Sequence, residues 1–472
     1  MLTTTAAVTQ GSPMQMLTEE GGIINNTNDF ITNSGITGTK LTKRGSGWMK
    51  FNTNNNGLGR LVIMGGTVQC INCTQPASTV EYQGGTLSEN GGTNYAVHVP
   101  EGKTGTWNTA NRSSYSNKLT GAGTLTIYCE EEKGTGWFAT RTQLSMDFSE
   151  FEGTIKATGR SDDSGARWTL NTSNGMPNGT LDIAEGLEVQ NTGKVFAIGA
   201  LAGKGKLGGY ASFSNNGGSG TNTWKVGSDK NFTWEGLVTS NSIFNKVGTG
   251  MMTVKGKWTN TGNSNVTEGT LCISSGTLGT GSVNVGTNGT LIGTNTSAIG
   301  ITNSSITVNG RIQAGATLNA YTGTLYFSNK NLVIGSSGTL AVGMRGRVST
   351  LLSDINVLTL NGKVQVYFHS AYTPAAGDSI CLWKANRVVG TPTFDLPELA
   401  EGLVWDTSKY TTGYLYIRSN ETDGISLTQG ERMPTKGNIY NVRGQLVRKN
   451  SNNLNGLPRG IYFQNGKKFI VK

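Results

Sequence analysis

Histidine is nearly missing from this chain: only His98 and His369 occur in 472 residues. That excludes a site built on several imidazoles, and a zinc centre with its usual four ligands would have to rest on cysteine. The five cysteines are an odd number, spread too thinly for a disulfide scaffold. Cys70 and Cys73 form a lone C-x-x-C in "QCINCTQ" with no second pair to complete a metal site. Cys129, Cys272 and Cys381 sit in apolar alternation and read as small core residues. No metal or other cofactor is expected. Long apolar runs are absent too: none approaches the roughly 18 residues that a membrane-spanning helix needs. The opening "MLTTTAAVTQGSPMQ" has neither the basic start nor the apolar centre of a secretory signal. Residues 1–30 therefore read as a flank at the start of a fragment.

Proline, at 9, and charged residues, at 14%, are also scarce, and strong helix formers are sparse beside Thr, Asn, Ser and the 69 glycines. β-Branched residues alternate with turn formers throughout, which predicts an all-β chain with many tight turns. The net charge of +10 is dispersed, with no basic run of the kind a nucleic-acid arm carries. It reads as a mildly basic, solvated surface, compatible with an acidic glycan or an anionic surface as partner.

Self-similarity decides the fold. "LTKRGSGWMKF" (41–51) matches "FNKVGTGMMTV" (244–254): Leu41 with Phe244, Lys43 with Lys246, Gly45 and Gly47 with Gly248 and Gly250. The frame recurs without lysine as "LTGAGTLTI" (119–127) and "LAGKGKLGG" (201–209). "SEFEGTIKATG" (149–159) resembles "FTWEGLVTSNS" (232–242), and a Gly-Thr-Leu unit recurs from Gly85 to Gly338. Strands of four to six residues cannot bury an apolar face alone, so such repeats must stack. Glycine supplies the corners, and Asn and Thr at repeated positions can form ladders. The fold expected is a right-handed parallel β-helix, a solenoid, over residues 31–345.

After residue 345 the strands lengthen and become more aromatic, and most of the prolines appear. Residues 346–420 are read as a β-rich cap over the solenoid's open end. Residues 421–437 are a polar linker. Residues 438–472 are a small basic β module, with short strands expected at Ile439–Tyr440, Gln445–Val447, Ile461–Phe463 and Phe469–Val471.

Two resemblances follow from these residues. "FNKVGTGMMTVKGKWTNTGNSNVTEGTLCISSG" and "LTKRGSGWMKFNTNNNGLGRLVIMGGTVQC" resemble the autotransporter-associated β-strand repeat. That likeness implies a secreted right-handed β-helix on a bacterial cell surface. The tail "IYNVRGQLVRK…LPRGIYFQNGKKFIVK" resembles the C-terminal sorting domain of type IX secretion substrates, carried here by Gly444, Gly460, Tyr462, Lys467 and Lys468. It implies passage through the outer membrane of a Gram-negative bacterium, with secretion and anchoring machinery as partner.

The remaining motifs bear on catalysis. Gly203, Gly205 and Gly208 have the G-x-G-x-x-G spacing of a phosphate loop, but as one copy of the repeat they read as a solenoid corner. "SDDSG" supplies only Asp162 and Asp163 where a polygalacturonase-like site needs three aspartates and a Gly-His-Gly. Glu130, Glu131 and Glu132 could bind calcium, but neighbours on a strand point to alternate faces. Asp147, Glu150 and Glu152 could supply a carboxylate pair for glycosidic cleavage. Trp137, Trp168, Trp224, Trp234 and Trp258 could stack on sugar if outward, and Phe151 at the position equivalent to Trp234 argues for core there. The expectation is a secreted or surface β-helical protein of adhesin-like or structural type that binds glycan or protein. Its alternative is a polysaccharide-active β-helix, lyase or hydrolase, or the accessory region of one.

Overall fold

The computed structural model describes residues 1–16, 19–55, 57–70, 72–89, 95–110, 113–129, 142–159, 167–209, 222–294, 306–420, 425–426, 432–465 and 467–471. Among them almost all regular structure is strand, and no helix is long and apolar enough to cross a membrane. The chain forms two compact units. The larger comprises Met1–Tyr372, Cys381–Pro397 and Tyr410–Tyr414.

This unit is a parallel β-helix. Its first sheet begins at Leu2–Thr4 and ends at Asp147–Phe151, its second runs from Val8–Gln10 to Thr393–Asp395, and its third from Ser114–Tyr115 to Leu237–Val238. Each turn takes about twenty residues or more, the length of one repeat.

Alternation explains the strands. In Thr124–Cys129, Leu125, Ile127 and Cys129 are buried while Thr124, Thr126 and Tyr128 face outward. Three inward side chains cannot hold a strand by themselves, so burial comes from the turns above and below. Met49, Val68, Leu87, Trp107, Ile127 and Ala157 lie opposite one another in successive turns, and none is exposed. Burying each large apolar side chain in such a column contributes about 1.5–3 kcal/mol. The same logic places Phe151 and Trp234 inside, as their shared repeat position predicts.

Glycine makes the corners. Gly45 and Gly248, equivalent in the two best repeats, have φ of 75° and 69°, a region that costs other residues about 1–2 kcal/mol. The G-x-G-x-x-G stretch is such a corner. Gly203, at φ 80°, ends the strand Val195–Gly203, and the amides of Lys204 and Gly205 both donate to the carbonyl of Ile183. Gly208 lies within the strand Lys206–Gly209, where a phosphate loop would open a helix.

Three boundaries differ from those expected. Residues 1–30 are not a flank: Leu2 already pairs with Ile24, and Phe30 with Met49. Their strands are three to five residues long and rich in Thr and Asn, too short to show alternation. The parallel ladder also continues past 345, with Leu340 opposite Val364, Leu358 opposite Val388 and Val364 opposite Phe394. The change in composition there falls on outward positions, while Leu352, Leu358, Leu360 and Val364 keep the inward pattern. Finally, a strand Arg432–Asn441 begins inside the stretch read as linker.

The second unit comprises Thr373–Ile380, Glu398–Lys409 and Leu415–Lys472. It holds an antiparallel pairing of Val404 with Arg418 and Trp405 with Ile417. It also holds a five-stranded sheet in which Arg432–Asn441, Leu446–Asn453, Gly460–Gln464 and Lys467–Val471 pair antiparallel. Ile439, Leu454, Tyr462, Phe469 and Val471 form its core.

Candidate functional site

Because the turns are in register, outward side chains form columns, and each column is a candidate surface. On the second sheet one column runs Trp48, Thr67, Thr86, Thr106, Thr126 and the next Lys50, Gln69, Ser88, Asn108, Tyr128. Trp48 is 42% exposed. Lys50 lies 5.9 Å from its ring centre and 2.7 Å from the Asp29 carboxylate. Further along the same sheet Asn245, Asn265 and Asn284 make a ladder, with amide-to-amide bonds of 2.7 and 2.9 Å.

The first sheet carries the charged face. Glu81, His98, Thr120 and Glu150 lie opposite one another, as do Arg60 with Thr79 and Lys118 with Asp147. Arg60 pairs with Glu81 at 3.1 Å, His98 Nδ1 lies 2.9 Å from the Thr120 hydroxyl, and Lys118 meets Glu150 at 2.5 Å. Asp147 and Glu150 are thus brought to one strand, and Asp147 is not displaced in the direction of a general acid. A general acid needs a raised pKa, whereas the hydroxyl and amide of Ser149 hold Asp147 below the usual carboxylate range. Glu150 is spent on Lys118, and Glu152 is exposed at the strand's end. Among the described residues no three His, Cys, Asp or Glu cluster as a metal site would require. Glu130–Glu132, Asp162, Asp163 and Trp137 lie outside the described residues.

Among the described residues the one carboxyl displaced upward is inside the β-helix. Glu89, 2% exposed, occupies the inward column between Cys70 and Thr109. It accepts from the Tyr95 hydroxyl and, at 2.7 Å, from Trp107 Nε1. Burial pushes its pKa up to about 7 against those bonds, and the same burial raises the Tyr82, Tyr95 and Tyr115 phenols around it. With no exposed edge, this cluster is internal architecture.

Two buried lysines are also structural. Lys43 Nζ donates to the carbonyls of Arg44, Gly45 and Gly65 at 2.7, 2.9 and 3.2 Å. Lys246 donates to those of Val247, Gly248 and Glu268 at 2.7, 2.7 and 3.2 Å. Desolvation lowers both to about 8. The repeat lysine is therefore a buried amine head that donates to three corner carbonyls.

Other features fell outside the sequence reading. Cys70 and Cys73 are joined in a buried disulfide with their Cα atoms 5.0 Å apart, while Cys129, Cys272 and Cys381 form no disulfide. Trp168, Trp224 and Trp258 all point inward and so offer no sugar platform. Arg311 reaches across the small Ala341 to Gln365 at 2.6 Å and also holds Asn319 at 3.0 Å. Tyr367 donates to the carbonyl of Ala320 at 2.7 Å, and Tyr321 packs edge-on against Tyr367 and His369. These groups come from distant turns and clamp residues 319–321 on the sheet. No local motif could have announced them.

In the C-terminal sheet Gly444 sits at φ 75° in the turn after Asn441, whose side chain accepts from the amides of Arg443 and Gln445. Gly460 opens one strand of a hairpin and Tyr462 is buried in it, donating to the carbonyl of Pro458 at 2.7 Å. Lys467 and Lys468 are exposed on the other strand. Four of the five sorting-like residues therefore share one hairpin. No family model and no curated protein matches this chain.

Proposed function

We propose that the chain is a secreted or cell-surface β-solenoid of adhesin-like or structural type, which binds glycan or protein along an outer face. The observation that carries this reading is the set of uncharged polar columns on the second sheet, headed by an exposed tryptophan. The rival reading, a lyase or hydrolase, needs a raised carboxyl in reach of substrate, and the outward candidates Asp147 and Glu150 are lowered or paired. The buried Cys70–Cys73 disulfide suits an oxidising, extracytoplasmic setting. The resemblance of Gly444, Gly460, Tyr462, Lys467 and Lys468 to a type IX sorting signal supports export to the surface of a Gram-negative bacterium.

Two measurements test this. Antibody against the chain should label intact cells, and retention of the protein inside the cell would refute the export reading. Purified protein should bind members of a glycan array while releasing no unsaturated or reducing ends from acidic polysaccharides. Release of such ends would refute the non-enzymatic reading.

A further inference from the structure

We infer that the outer face of the second sheet between Trp48 and Tyr128 binds an uncharged, extended polysaccharide chain laid along the stack of turns. This rests on the binding reading above and gives it a place and a ligand class.

The polar groups of this strip are unspent. Among the described residues the side chains of Thr67, Gln69, Thr86, Ser88, Thr106, Asn108 and Thr126 have no hydrogen-bond partner in the protein. The Asn245–Asn265–Asn284 ladder on the same sheet is different, because its amides bond one another. Hydroxyls and amides each both donate and accept, which matches the hydroxyls of a sugar and gives no preference to a charged group.

Charge complementarity points the same way. The chain carries +10 overall, yet within the strip the only charge is Lys50, and Asp29 neutralises it at 2.7 Å. The next charges along the column, Lys156 and Asp182, come only after Thr126. Among the described residues of the strip a polyanion would find no unpaired cation, and a cationic ligand no unpaired carboxylate.

Geometry supplies direction and length. Paired strands are spaced about 4.8 Å apart, close to the rise per sugar of an extended, equatorially linked pyranose chain. A chain crossing the strands would therefore meet an equivalent hydroxyl or amide at each turn. Of the tryptophans described on the β-helix, Trp48 alone is exposed; Trp107, Trp168, Trp224, Trp234, Trp258 and Trp383 are buried. Its ring offers an apolar platform for the C–H face of one pyranose, and the half-exposed Tyr128 ring stands at the far end of the neighbouring column.

The test is calorimetric titration of the full chain with cellohexaose and xylohexaose, with an oligogalacturonate as the charged comparator. An uncharged hexasaccharide should bind in preference to the oligogalacturonate. Trp48→Ala should weaken it by about tenfold, the scale of one lost stacking contact, and Thr86→Val with Thr106→Val should weaken it further. Asn265→Ala should leave it unchanged, and circular dichroism should show all variants folded. If the chain binds glycan but the Trp48 and Thr variants bind as well as the wild type, this site is refuted and the broader reading stands. Preference for oligogalacturonate refutes the ligand class alone. Failure to bind any glycan or protein removes both.

Discussion

Lys246 reaches across one turn of the solenoid to the carbonyl of Glu268 at 3.2 Å, and Lys43 reaches that of Gly65 over the same distance. The two corners lie far apart in the chain, yet each ammonium sits on three carbonyls. What the repeat preserves is therefore a hydrogen-bonding task at a corner, which the lysine performs while buried.

Replacing either lysine by methionine should leave those carbonyls unpartnered and destabilise the β-helix by about 1–3 kcal/mol, read as a lower urea midpoint. The pH dependence has a definite sign. Each lysine has a folded pKa of about 8, below its unfolded value of 10.5, so its titration contributes stability that is present above 10.5 and lost as pH falls through 8. The wild type should therefore gain on the Lys43→Met, Lys246→Met double variant as pH rises from 8 to 10. A constant difference over that range would refute the lowered pKa and show that the three carbonyls offset the desolvation of each ammonium.

Glu89 acts in the opposite direction. Its folded pKa of about 7 lies above the reference 4.5, so its contribution is fully present below pH 4.5 and lost as pH rises through 7. The wild type should lose up to about 3 kcal/mol between pH 4.5 and 8, and Glu89→Gln should remove that slope. Thermal unfolding at intervals of pH checks this; equal slopes in the two proteins would show that folding does not raise the Glu89 pKa.

The disulfide predicts a thiol count. Denatured without reductant the chain should expose three titratable thiols, and with reductant five. Five in both conditions would mean that Cys70 and Cys73 are reduced in the folded protein.

The C-terminal sheet can be tested by removal. Deleting residues 432–472 should leave the thermal transition of the β-helix in place and abolish surface display. Replacing Gly444 by valine, at φ 75°, should destabilise that small sheet by about 1–2 kcal/mol. Undiminished display by the deletion variant would overturn the sorting role.

The parallel β-helix was legible because its information is periodic. A recurring Gly-x-Gly corner, alternating strands and a shared aromatic at Phe151 and Trp234 are visible in one dimension, and stacking is the only way such short strands bury their inward faces. The sequence by itself thus determined the kind of rung and the class of fold, and it moved Gly203, Gly205 and Gly208 from a phosphate loop to a corner. Only the tertiary structure decided where rungs begin and end, which tryptophans face out, and what meets what across turns. Trp48 follows Gly47 directly while Trp107 follows Gly105-Thr106, and one is exposed and the other buried, because a shift of one residue in register reverses the face of a strand. The partners of Glu89, the cradle of Lys246 and the unspent strip from Trp48 to Tyr128 are set by which residues lie about 4.8 Å above and below. That distance is fixed by the stack of turns and is written in no local stretch of the chain.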